Sequence, residues 1–183
     1  MTVRIHVDGS VRSNPGIGGW GAILEYGEER EQPGVYRHRK EISGGCGITT
    51  NNRMELLAVI EALRALTRPC VVEIISDSQY VVRGINVWFP LWKAGGIDAI
   101  TPKKVMNHDL WQVLYGLSSK HQLYATWVRG HGTEHTENNR AHDLANQAAI
   151  AYEQQSPYVQ DALAVTEYGR LSVLKKELSL SLT

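Results

Sequence analysis

Val3, Ile5 and Val7 alternate with Thr2, Arg4 and His6, a period of two that predicts a strand with one buried face. The alternation stops at Asp8-Gly9-Ser10, so this strand ends in a carboxylate. Asn14-Pro15-Gly16 and Gly18-Gly19 supply turn chemistry, and strand-like stretches follow at 20–26 and, after Pro33-Gly34, at 35–42. Three strands in an antiparallel meander are expected. The period then changes. Thr49-Thr50-Asn51-Asn52 offers N-cap candidates ahead of Met54, Leu57, Ala58, Glu61 and Leu63, with Leu56, Ile60 and Leu66 widening the apolar face of a helix that ends near Thr67-Arg68-Pro69. Glu55 falls in its first turn.

Val71, Val72, Ile74 and Ile75 form a β-branched run of the kind buried on both faces, and it closes at Ser76-Asp77-Ser78. Downstream, the pattern predicts a short helix from Gln79, an aromatic and basic stretch over 88–104, and a helix over 107–120 carrying Leu110, Trp111, Leu114 and Leu117. A fifth strand at 123–128 and a last helix over 138–152 complete the series. Strands first, then alternating helices and strands, imply an α/β domain with a mixed sheet. Pro157 is read as its end, giving a domain over 1–155 and an extension over 156–183. Within the extension, Leu171, Leu174 and Leu178 fit a helix while Leu178, Leu180 and Leu182 fit a strand, so periodicity leaves it undecided.

Composition narrows the class. Hydrophobic residues make up 43% and charged residues 21% of the 183, enough apolar material for a continuous core. No apolar run approaches the roughly 20 residues that span a bilayer, and the N-terminus lacks the basic start and long apolar stretch of a secretory signal; the expectation is a cytoplasmic protein. Cys46 and Cys70 show no C-x-x-C spacing, so reduced thiols are expected. The 19 Lys and Arg match the 19 Asp and Glu, and any surface for a polyanion must therefore be local.

If the strands ending at Asp8 and Asp77 lie parallel and adjacent, both carboxylates stand beyond the same sheet edge, where α/β proteins gather functional groups. A right-handed crossover brings Glu55 to that edge. Three carboxylates in one pocket raise one another's pKa and oppose folding unless a cation joins them. Hard oxygens without a thiolate favour Mg²⁺, with Mn²⁺ as substitute. Two such ions, roughly 3.5 to 4 Å apart, would activate water and stabilise a leaving oxygen in phosphodiester hydrolysis.

The surrounding words are specific. Asp8-Gly9-Ser10, Thr49-Thr50-Asn51-Asn52-Arg53-Met54-Glu55-Leu56 and Ser76-Asp77-Ser78-Gln79-Tyr80-Val81 resemble, in order, the signature segments of the ribonuclease H type 1 family. The likeness continues through Asn107-His108-Asp109-Leu110-Trp111, Trp127-Val128-Arg129-Gly130-His131 and Glu137-Asn138-Asn139-Arg140-Ala141-His142-Asp143-Leu144-Ala145, covering about 1–153. It implies a five-stranded mixed sheet with flanking helices and metal-dependent cleavage of the RNA strand of RNA/DNA hybrids. Asp8, Glu55 and Asp77 match the family's metal-binding carboxylates. Asn14, Asn51, Asn52 and Gln79 match residues lining the hybrid's minor groove, where amides meet 2′-hydroxyls. His131 matches a mobile histidine that assists proton transfer or product release.

One position departs from the family. Alignment on Arg140 and Leu144-Ala145 places His142 where the family has a fourth metal carboxylate. Asp143 is the rival, but one helical step turns a side chain about 100° away. Imidazole suits Mg²⁺ less well than carboxylate does, so activity with a greater relative tolerance for Mn²⁺ is expected. His131, His135 and His142 do not have a zinc spacing. Trp88, Trp92, Lys93, Lys103 and Lys104 match the family's basic protrusion against the duplex backbone, although Ala94-Gly95-Gly96 and Asp98 thin its charge. Arg12, Arg53 and Arg129 are further candidates. The alternatives are a hybrid-binding module with weakened turnover and a related nuclease acting on DNA. A monomer is expected, with a protein partner for the extension left open.

Overall fold

The computed structural model describes residues 1–29, 36–95, 101, 103–130 and 136–155. Five strands form one sheet: β1 (Thr2–Val11), β2 (Gly16–Glu29), β3 (Tyr36–Thr49), β4 (Val71–Ser76) and β5 (Gln122–Trp127), in the order β3-β2-β1-β4-β5. β1 pairs antiparallel with β2, and β2 with β3, which is the expected meander. β4 joins β1 in parallel, with His6 opposite Ile75, and β5 joins β4 in parallel.

The apolar alternation of β1 builds one core. Val3, Ile5 and Val7 are fully buried together with Leu56, Val59, Ile60 and Leu63 of helix α1 (Asn51–Arg64). α1 is three residues shorter than its expected end near Thr67. It begins with Thr50 as N-cap, whose carbonyl accepts from the amides of Arg53 and Met54 at 3.1 Å each while its side chain caps nothing. Glu55 is therefore the fifth helical residue, one position beyond the first turn. Helix α4 (His108–Ser118) adds the fully buried Trp111 and Leu114 to the same core.

The largest departure from the sequence pattern lies in β2 and β3. The glycines expected in a turn before Trp20 belong to β2, and β3 continues past 42 to Thr49 through Gly44, Gly45 and Gly47. Their strand placement follows from helix α5 (Thr136–Gln155), which crosses this face. A Cβ on Gly19 would sit 2.1 Å from the Ala145 carbonyl oxygen, and one on Gly21 would sit 2.3 Å from that of Ala141. Only strands without side chains at these points let the helix backbone approach so closely.

The segment after β4 is also more articulated than one short helix. Helix α2 (Gln79–Arg83) runs into a π-helical turn at Gly84–Trp88 and then into helix α3 (Phe89–Gly95). A Cβ on Gly84 would lie 1.9 Å from the Trp111 ring, so the indole packs directly on the backbone at the start of the π turn. Cys46 and Cys70 are both free, as expected. Among the described residues no helix is long and apolar enough to cross a membrane.

Candidate active site

β1 does not end at Asp8 as expected but runs on to Val11 beside β2; its parallel pairing with β4 stops at His6 and Ile75, and Asp8 and Asp77, each two residues further on, stand at one edge of that ladder. Asp8 is only 5% exposed, and its Oδ1 accepts from the Gly9 amide at 2.8 Å. Gly9 closes the distance to α1, because a Cβ there would meet the Glu55 amide nitrogen at 2.5 Å. On the other side, a Cβ on Gly130 would stand 2.2 Å from Asp77 Oδ2, so the chain leaving β5 passes directly over that carboxylate. The Trp127 indole N–H donates to the Asp77 carbonyl at 3.0 Å and fixes the same corner.

Glu55 is 7% exposed and held at both oxygens. Asn51, one turn earlier in α1, donates to Oε1 at 2.7 Å, and the Ser78 hydroxyl donates a short hydrogen bond to Oε2. Ser78 also accepts from the Val81 amide, capping α2. Burial nevertheless pushes the Glu55 carboxyl up to about 7, against the lowering effect of Ser78 and with the help of the negative charges on Asp8 and Asp77. Glu55 thus senses the charges of both Asp8 and Asp77 across the sheet edge.

From α5, His142 reaches this edge. Its Nδ1 lies 2.6 Å from Asp8 Oδ2, and this hydrogen bond holds the imidazole pKa above its ordinary value despite partial burial. One turn further along α5, Asn146 accepts a short hydrogen bond from the Ser10 hydroxyl. Arg140 grips Glu41 of β3 through two nitrogens, at 3.1 and 2.8 Å, so the first turns of α5 are anchored on both sides of His142.

The RNase H family model matches residues 1–150. The chain belongs to the RNase H family. It is 52% identical over 149 residues to the ribonuclease H of Cupriavidus metallidurans, which covers 81% of this chain and 96% of that protein. It is 46% identical over 152 residues to the ribonuclease HI of Neisseria meningitidis serogroup B, covering 83% of this chain and 98% of the relative. Among solved structures, LC9-RNase H1, a type 1 RNase H with the type 2 active-site motif, aligns with a TM-score of 0.68 at 31% identity over 82% of this chain and 72% of that one. The fold also matches LC11-RNase H1 in complex with RNA/DNA hybrid, with a TM-score of 0.56 at 23% identity over 81% of this chain and 97% of that one.

RNases H depend on a divalent metal. The donors at this sheet edge fit such an ion in kind: hard carboxylate oxygens, one of them on a glutamate destabilised by its own charge. Their present side-chain positions do not form a finished cage. Among the described residues no three His, Cys, Asp or Glu side chains stand together closely enough to hold a metal. The oxygens of Glu55 and Oδ2 of Asp8 are instead engaged by Asn51, Ser78 and His142.

The other RNase H positions divide into three groups. Asn14, Asn52, Gln79, Lys93, Lys103 and Lys104 are exposed, whereas Asn51 is drawn inward to Glu55. Trp88 and Trp92 pack on Trp111, with ring centroids 5.7 and 5.5 Å away, so both indoles belong to one aromatic cluster. Arg53 makes a bidentate pair with Asp109 at 2.9 and 2.6 Å, and Arg12 pairs with Glu153 at 3.3 Å, while Arg129 is exposed. His131, His135, Gly96, Asp98 and 156–183 lie outside the described residues. Ser78 and Gly130 lie within the stretches that resemble the family, but no spacing marks a serine as a carboxylate donor or a glycine as a carboxylate's neighbour.

Proposed function

We propose that this protein is an endoribonuclease that hydrolyses the RNA strand of RNA/DNA hybrids, leaving 5′-phosphate and 3′-hydroxyl ends. The observation that carries this reading is the meeting of Asp8, Asp77 and the charge-destabilised Glu55 at one sheet edge, in a chain about half identical to named ribonucleases H. In this role Asp8, Glu55 and Asp77 would hold two Mg²⁺ ions, with Mn²⁺ as substitute, and His142 stands where the family has its fourth carboxylate. When bound, the ions supply water activation and stabilise the leaving oxygen.

The chain's own residues do the rest. Asn51 and Ser78 orient Glu55, Gly9 and His142 orient Asp8, and the backbone at Gly130 limits the swing of Asp77. Asn14, Asn52 and Gln79 offer exposed amides to 2′-hydroxyls and base edges, joined by Asn51 when it turns outward from Glu55. Lys93, Lys103 and Lys104 meet backbone phosphates, carried on the platform formed by Trp88 and Trp92. His131 assists proton transfer or product release. The protein works as a cytoplasmic monomer, with 156–183 as an appendage open to a protein partner.

A second reading, hybrid binding with weakened turnover, is favoured by one feature: an imidazole in place of the fourth carboxylate. Labelled RNA/DNA, DNA/DNA and RNA/RNA duplexes incubated in parallel with Mg²⁺ or Mn²⁺ separate the possibilities. Cleavage confined to the RNA of the hybrid is expected. Binding without cutting under both ions supports the second reading, and preferential cutting of DNA rejects both.

A further inference from the structure

His142 contacts an oxygen that a metal at Asp8 would need. Its Nδ1 lies 2.6 Å from Asp8 Oδ2, while Oδ1 already accepts the Gly9 amide at 2.8 Å. A carboxylate that is 5% exposed has little water to draw on, so these two donors are its described hydrogen-bond support. A neutral imidazole with its hydrogen on Nδ1 is sufficient to donate this bond. A divalent ion binds carboxylate oxygen at about 2.0 to 2.1 Å for Mg²⁺, and its charge repels a donor hydrogen aimed at the same oxygen.

The two partners differ in how easily they leave. Gly9 is backbone within β1 and cannot move away. The His142 side chain is one-third exposed, so its ring has a solvent side toward which rotation opens the bond to Asp8. The preceding residues stay fixed, since Arg140 is tied to Glu41 and Ala141 is fully buried.

We propose that His142 is a displaceable partner of Asp8: its Nδ1–H takes the cation's place in the metal-free protein, holds the carboxylate in position, and competes with the incoming ion for Oδ2. This rests on the reading that Asp8 is a metal ligand. His142 is then a positioning residue that sets how tightly the site loads, whereas a carboxylate at this place would repel Asp8 and increase the need for metal.

The test is calorimetric titration of Mn²⁺ and of Mg²⁺ into the full chain without nucleic acid. His142→Ala is expected to bind each ion about tenfold more tightly than wild type, equivalent to about 1.4 kcal/mol, and to melt earlier in EDTA. His142→Asn, whose amide nitrogen reproduces the position of Nδ1, returns both properties toward wild type. The His142 ring signal in a ¹H–¹⁵N spectrum shifts on metal addition in wild type as the bond to Asp8 opens. Unchanged or weaker binding by His142→Ala overturns the proposal, because the imidazole is then a bystander or an ordinary ligand. Asp8→Asn separates this from failure of the underlying reading: metal binding that survives Asp8→Asn removes Asp8 as a ligand whatever His142 does.

Discussion

Replacing Glu55 by Gln tests whether buried charge at the site is a cost carried by the metal-free fold. Gln keeps the shape, an acceptor for Asn51 and a polar group for Ser78, but it cannot ionise. In the folded protein the Glu55 carboxyl is raised from 4.5 to about 7, so the native state binds a proton that the unfolded chain has released. A raised folded pKa contributes stability that is fully present below 4.5 and lost as pH rises through 7. The interval of about 2.5 pH units, at about 1.4 kcal/mol each, sets the loss near 3 kcal/mol at pH 8 and above. Relative to wild type, Glu55→Gln should gain little at pH 4.5 and about 2 to 3 kcal/mol at pH 8, roughly 5 to 10 °C in melting temperature for a chain of this size. Thermal unfolding in EDTA across pH 4.5 to 9 measures this. Saturating Mg²⁺ should shrink or reverse the gain, since the ion neutralises Glu55 only in wild type. A gain that is absent at pH 8, or the same at pH 4.5 and pH 8, refutes the argument.

Three further outcomes follow from the packing and charge around the site. Gly84→Ala places a methyl 1.9 Å from the Trp111 ring and should destabilise by about 1 to 3 kcal/mol, read from denaturant midpoints. Gly130→Ala meets the movable end of Asp77 at 2.2 Å rather than backbone, so it should leave the melting temperature nearly unchanged while lowering kcat by about tenfold or more through misplacement of the carboxylate. In the metal-free protein the NMR titration of His142 should have its midpoint above 6.5, and Asp8→Asn, which removes the main cause, should bring it down. The stability that His142 contributes is present below 6.5 and fades as pH rises through the folded midpoint, so the Asp8→Asn penalty should be smaller at pH 9 than at pH 6.

The strand of Val3, Ile5 and Val7, helix α1 and the β-branched β4 were legible because their periods report burial directly. Reading Asp8 and Asp77 as strand ends put them at one edge without any contact being known, although β1 runs on to Val11 beside β2 and only its pairing with β4 stops before Asp8. Gly19 misled because glycine's intrinsic preference is for turns, and Gly45 lies beyond the expected strand end at 42; only the approach of α5, more than a hundred residues later, explains why strands need glycine at both. The π turn at Gly84–Trp88 was invisible because an apolar pattern over five residues does not separate α from π geometry. The Tyr80 hydroxyl, which accepts from the Trp111 indole at 2.8 Å and from Asn107 at 3.2 Å and donates to the Met106 carbonyl at 2.9 Å, joins residues that no spacing rule pairs. Ser78 is a similar case, since its partner Glu55 is 23 positions away and on another element.

The balance at Glu55 shows which force dominates the site. Two hydrogen bonds, from Ser78 and Asn51, favour the ionised carboxylate, while burial and two like charges oppose it, and the net movement is upward to about 7. Desolvation with repulsion therefore outweighs hydrogen bonding, so at neutral pH this edge has an unmet demand for positive charge. Asp8 meets a similar demand locally through the Gly9 amide and the His142 imidazole, both neutral donors if the ring is uncharged. Polar donors can orient these carboxylates, but they cannot neutralise them. A divalent ion does both, and it must take its oxygens from Asn51, Ser78 and His142, so the residues that organise the site before loading also set how strongly an ion has to bind to win it.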